Sequence, residues 1–99
     1  MTHEVQFGEA AAADLIALHR WIEDGAGMAI ADAYLERLHA RCLSLSAFPN
    51  RGTPRDDLGG GLRSLSFERS LVIFYRVERS SVTILRVVSG ARELGGLLS

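Results

Sequence analysis

The chain has no lysine, one cysteine, one tryptophan and two prolines in its 99 residues. Each scarcity excludes something. A lone Cys42 leaves no partner for an internal disulfide, and with His3, His19 and His39 widely separated it offers none of the spacings of a zinc site. No metal and no cofactor is therefore expected. No apolar run approaches the roughly 20 residues of a membrane helix, and Met1-Thr2-His3-Glu4 lacks the basic and apolar regions of a secretory signal. These features predict a cytoplasmic protein with no membrane partner. Gly59-Gly60-Gly61 is not followed by Lys-Ser/Thr and precedes a strand, so it reads as a turn and not as a phosphate-binding loop. Asp56-Asp57 reads as turn residues, and no Ser or Cys has a neighbouring His to activate it.

What is present is a single domain over residues 1–99, 47% apolar and 23% charged, with a net charge of -1. Acids outnumber arginines before Arg51, and arginines outnumber acids from Arg51 onward. The second half is thus mildly cationic, but too sparsely for the basic stripe of a nucleic-acid binder, and no direct sequence-specific DNA binding is expected.

Periodicity divides the chain. Val5-Gln6-Phe7 alternates like a short edge strand. Ala11, Leu15, Leu18 and Ile22 then recur at helical spacing after Gly8, with Gly25 as a natural stop. Ala31, Leu35, Leu38, Cys42 and Leu45 mark a second helix that begins near Met28 or Ala29 and ends at Phe48-Pro49. The short Asp24-Gly25-Ala26-Gly27 connection predicts an antiparallel αα-hairpin. Asn50 to Gly61 reads as turn and loop. Strand patterns follow over Leu62–Phe67, with Arg63, Leu65 and Phe67 on one face, then Leu71–Val77 and Val82–Val88. Short connectors make these three an antiparallel meander. The expected architecture is α+β, in the order β-α-α-β-β-β, an antiparallel sheet of about four strands packed against the αα-hairpin. Gly95-Gly96 disfavours a helix, and residues 95–99 read as a mobile tail.

The arginines carry the functional signal. By alternation Arg86 shares a strand face with Ile84 and Val88, where an arginine sits at the rim of a core, pairs with an acid such as Asp14 or Glu93, or aims at a ligand. Arg63 and Tyr75 pose the same choice on adjacent strands. Taken in order, Asp14-Leu15, Pro49-Asn50-Arg51-Gly52, Arg55-Asp56-Asp57-Leu58, Gly61-Leu62-Arg63, Ile73-Phe74-Tyr75-Arg76-Val77, Ile84-Leu85-Arg86-Val87 and Gly90-Ala91-Arg92-Glu93-Leu94 resemble the RelE/ParE toxin superfamily. The resemblance implies a toxin of a bacterial type II toxin–antitoxin pair, wrapped by the C-terminal segment of a small antitoxin of the ribbon-helix-helix, DNA-binding type.

Two activities occur in that superfamily. RelE-like members cut messenger RNA on the ribosome, with basic residues and a C-terminal Tyr or His. This chain has no Lys and no Tyr or His after Tyr75, and a guanidinium stays protonated and serves poorly as a general base. ParE-like members instead block DNA gyrase by binding, and the ParE-like branch is the reading favoured here, with the ribosome-dependent endoribonuclease as the alternative. No catalytic residue is assigned. The resemblance places target contacts on Arg63, Arg86 and Arg92. Antitoxin contacts are expected at Leu15, Leu18, Trp21, Ile22 and Tyr75, with Trp21 beside the apolar stripe of its helix as the leading candidate.

Overall fold

Of the residues at helical spacing, Ala11, Ala31, Leu38 and Cys42 have no exposed surface. They belong to two helices in the computed structural model of the chain, which describes residues 2–89. The elements are β1 (Glu4–Phe7), α1 (Glu9–Ala26), α2 (Met28–Leu43), a 3-10 turn (Ser44–Ser46), β2 (Thr53–Pro54), β3 (Leu62–Phe67), β4 (Leu71–Val77) and β5 (Ser81–Ser89). The expected α+β order therefore holds, and the 95–99 segment lies outside the described residues. α1 runs past Gly25, and Gly27 alone joins the helices. Its φ of 97° suits glycine, its N–H bonds the Glu23 carbonyl, and its own carbonyl accepts from Ala31. Continuing the helix keeps backbone groups paired, which outweighs the modest cost of an internal glycine.

The sheet has five strands in the order β1-β5-β4-β3-β2 and is mixed, where about four antiparallel strands were expected. β3, β4 and β5 form the antiparallel meander. β1 takes the predicted edge position but runs parallel to β5, from Glu4 opposite Ser81 to Phe7 opposite Ile84. The fifth strand comes from the segment read as loop: Thr53 and Pro54 pair with Ser64 and Arg63. Two residues carry no alternation to detect, and proline is tolerated on an edge where no donor is needed.

Cross-strand register sets the core. Arg63, Leu65 and Phe67 face the same side, as their alternation predicts, and pair with Tyr75, Ile73 and Leu71. Both helices cover that side, so Ala11, Leu38 and Cys42 form one cluster with Ile73, Tyr75 and Ile84. One irregularity matters. Tyr75 pairs with Ile84 but Phe74 pairs with Arg86, which leaves Leu85 as the extra residue of a β-bulge. The core face of β5 therefore passes from Val82 and Ile84 to Val87, and Ile84 is separated from Arg86 and Val88, contrary to simple alternation.

Burial pushes the Cys42 thiol up to about 11. A thiol raised in this way contributes stability that is complete below its unfolded value and is lost as pH rises towards 11. Iodoacetamide at about pH 8 is expected to leave Cys42 unmodified in the native protein and to label it in urea. Labelling of native protein at the rate of a free thiol would contradict this burial.

Candidate functional site

β5 is nine residues long and β1 only four, so β1 leaves the outer edge of β5 uncovered beyond Ile84. The chain resolves this within its next few residues. Gly8 N–H donates to the Ile84 carbonyl at 2.9 Å, α1 begins, and Asp14 takes over where the strand stops. One Asp14 carboxylate oxygen accepts from Val87 N–H at 2.9 Å and from Arg86 Nε at 2.8 Å, while the other accepts from an Arg86 terminal nitrogen at 3.0 Å. This bidentate pair is one of the alternatives open for Arg86 from sequence. It pins α1 beside the upper half of β5.

A groove of about 670 Å³ opens from that contact. Asp14, Ala17, Leu18, Trp21 and Ile22 of α1 form one wall, Arg86 to Ser89 of β5 the floor, and Tyr34, Ser70 and Leu71 the opposite wall. Tyr34 is held on three sides. Its ring meets Phe67 edge-on at 5.5 Å, Arg37 lies over it at 5.3 Å, and its hydroxyl is 3.3 Å from that of Ser70. Arg37 also binds Glu68 through two nitrogens, at 2.8 and 3.2 Å. That bond holds the β3–β4 turn, where Glu68 and Arg69 adopt positive φ of 48° and 62°. The Arg37 side chain holds the Glu68 carboxyl below its ordinary range by hydrogen bonding. Trp21 stands at the groove mouth with 76% of its surface exposed.

The structure thus gathers four sequence-predicted residues, Leu18, Trp21, Ile22 and Arg86, around one groove. Leu15 packs against the core beneath it. Arg92 lies outside the described residues. Tyr34 and Asp14 complete the site, and Tyr34 was not singled out from sequence because it falls on the flank of the α2 stripe, not within it.

Tyr75 and Arg63 belong to a separate assembly. Tyr75 is fully buried, so its side chain offers no surface to an antitoxin in this fold. Its hydroxyl donates to the Pro49 carbonyl at 2.9 Å and accepts from Gly52 N–H at 2.8 Å. Burial raises its pKa despite the opposing Gly52 hydrogen bond and the nearby Arg63 and Arg51 charges. Arg63 donates one terminal nitrogen to the carbonyls of Asn50 and Gly52, at 3.1 and 2.6 Å. A Cβ at Gly52 would lie 2.6 Å from the Tyr75 hydroxyl, so only glycine fits. Among the described residues no group of three His, Cys, Asp or Glu is placed to hold a metal, and no helix is long and apolar enough to cross a membrane.

Comparison with known proteins agrees with this architecture. A family model described as ParE toxin of type II toxin-antitoxin system, parDE, matches residues 5–94. Toxin ParE3 of Caulobacter vibrioides is 36% identical over 85 residues, which cover 86% of this chain and 84% of that protein. A solved chain of the chromosomal ParDE TA system from P. aeruginosa superposes with a TM-score of 0.77 at 25% identity, covering 89% of this chain and 96% of that one. The class is therefore a small α+β toxin of the type II toxin–antitoxin kind. Within that class, the chain belongs to the ParE toxin family.

Two substitutions test the geometry. Asp14→Ala is expected to cost about 1–2 kcal/mol in urea unfolding, because the pair is partly exposed but Val87 N–H loses its acceptor. Part of that cost should persist in an Arg86→Leu background, and its complete disappearance would show that Val87 gains nothing from Asp14. Tyr75→Phe strands Gly52 N–H and the Pro49 carbonyl, with an expected loss of about 1–3 kcal/mol. An unchanged unfolding midpoint would remove the loop lock.

Proposed function

We propose that this chain is the toxin of a type II pair, that it inhibits DNA gyrase by protein binding, and that a cognate antitoxin neutralises it from the groove between α1 and the end of β5. The observation that carries the antitoxin half is the groove itself: a largely apolar trough with Trp21 exposed at its mouth. An amphipathic helix matches such a trough. The β5 edge in the floor also allows an extended segment to add main-chain bonds beside Ser89. A short ribbon-helix-helix protein encoded beside the toxin is the expected partner, in a hetero-oligomer with it.

The gyrase half rests on membership of the ParE family and on how the arginines are used. Arg63 holds loop carbonyls and Arg86 is paired with Asp14. A guanidinium cannot exchange protons near neutral pH. This favours binding over ribonucleolytic cleavage.

Purified toxin is expected to abolish DNA supercoiling by gyrase, with activity restored at stoichiometric antitoxin. Codon-specific messenger cleavage in a translating extract, with supercoiling intact, would refute the gyrase reading in favour of the endoribonuclease. Trp21→Ala should raise the antitoxin Kd by about 10-fold or more, since a groove-mouth tryptophan is the kind of residue that concentrates binding energy. An unchanged Kd would remove the groove from the interface.

A further inference from the structure

The segment between α2 and β2 exposes an aromatic ring on a backbone that is unusually well held. Phe48 is 61% exposed. Its N–H donates to the Ser44 carbonyl and its carbonyl accepts from Arg51 N–H, both at 3.2 Å. Immediately after it, Tyr75 fixes Pro49, Arg63 fixes Asn50, and both fix Gly52. The Arg51 guanidinium lies 5.6 Å from the Phe48 ring centroid and donates to Ser44 Oγ at 3.1 Å. A buried tyrosine, an unsubstitutable glycine and two arginines therefore brace a five-residue loop, Ala47 to Arg51, that lines a surface concavity of about 460 Å³. A ring held out of the core with little freedom left to lose is the form that interface anchors take.

The charge around the ring is one-sided. From Arg37 to Arg55 the sequence has four arginines and no acid. Arg37 and Arg55 are spent on Glu68 and Asp57, and Arg41 acts on the Glu68 carboxylate too, whereas among the described residues Arg51 and, on β3, Arg63 bond a hydroxyl and carbonyls and no carboxylate. Two guanidinia are few for a polyanion, whose affinity grows with the number of phosphates neutralised. One guanidinium over an exposed phenyl ring and a second on the backbone of the same loop instead complement an acidic protein surface with an apolar pocket. None of the loop residues lines the antitoxin groove. The loop is anchored at Tyr75 and the groove at Leu71, four residues apart on β4 and so roughly 13 Å along the strand.

We propose that Phe48, with Arg51 over its ring and Arg63 on the backbone of the same loop, is the anchor by which this toxin engages its target, an acidic protein surface with an apolar pocket, at a site separate from the antitoxin groove. This rests on the toxin reading above and names the face that delivers it.

Phe48→Ala and Arg51→Glu are the probes, with melting temperature and antitoxin Kd as controls for folding. Each is expected to abolish growth arrest on induction and to raise the half-inhibitory concentration in gyrase supercoiling by about 10-fold or more, with antitoxin Kd changed less than about 2-fold. Growth arrest equal to wild type at equal soluble level overturns the proposal. Loss of arrest in Phe48→Ala, with wild-type toxin leaving gyrase untouched, supports this face while refuting gyrase as the target. Binding of a labelled single-stranded oligonucleotide at physiological salt, lost in Phe48→Ala, would overturn the protein occupant.

Discussion

The Asp14 carboxylate is the contact on which the groove of this molecule depends. A nine-residue β5 beside a four-residue β1 leaves a strand edge that must be paired, covered or charged. Asp14 does two of these at once, by accepting Val87 N–H as a neighbouring strand would and by binding Arg86 through both of its oxygens. Because Asp14 sits in the second turn of α1, satisfying the edge also fixes how α1 lies against the sheet. The groove is the space left over: a helix held beside the strand by a side chain, not packed onto its full length, leaves a trough towards Ser89. Trp21 follows Asp14 by seven residues, close to two helical turns, and so projects along the same flank of α1 over that trough.

The opposite end of β4 solves a different problem by similar means. The chain must leave α2, cross beneath the sheet and return as an edge strand with only two residues paired. Tyr75 and Arg63, adjacent across β4 and β3, supply the donors and acceptor that the loop backbone needs. These are costly groups to bury, and their value is conformational: satisfied in this way, the loop has one shape. A single central strand thus anchors two surfaces of different chemistry. One is an apolar trough, and the other an exposed aromatic ring under a guanidinium.

Much of the frame was legible because periodicity reports burial. Ala11, Leu38 and Cys42 on the helices and Arg63, Leu65 and Phe67 on β3 fall where spacing alone puts them. What escaped was decided by pairing between distant segments. The direction of β1 depends on which neighbour it finds, two residues at Thr53–Pro54 are too few to show a pattern, and the bulge at Leu85 shifts a face without any glycine or proline to announce it. The same limit applied to the site. Arg86 was visible as an arginine among apolar neighbours and Asp14 was one of the acids named for it, but the choice between rim, ion pair and ligand is made by a contact across 72 residues. Tyr75 was expected to contact an antitoxin; its hydroxyl instead bonds backbone groups of Pro49 and Gly52 that no side-chain pattern encodes. Phe48 was read only as a helix terminator, since its exposure follows from the lock on Pro49 and Gly52.

The absence of lysine now acquires a structural sense. Arg63 bridges two carbonyls with one terminal nitrogen, and Arg37, Arg55 and Arg86 each fork onto a carboxylate with two. A compact ammonium cannot reproduce that planar fork, so these positions select arginine for geometry as much as for charge. Arg51 reports the same preference through stacking, since its flat guanidinium can lie over Phe48 while still bonding Ser44. A guanidinium stays protonated near neutral pH, so these side chains hold backbone and ring in place and take no part in proton transfer. Used in this way, the arginines fix the shape of the surfaces they brace.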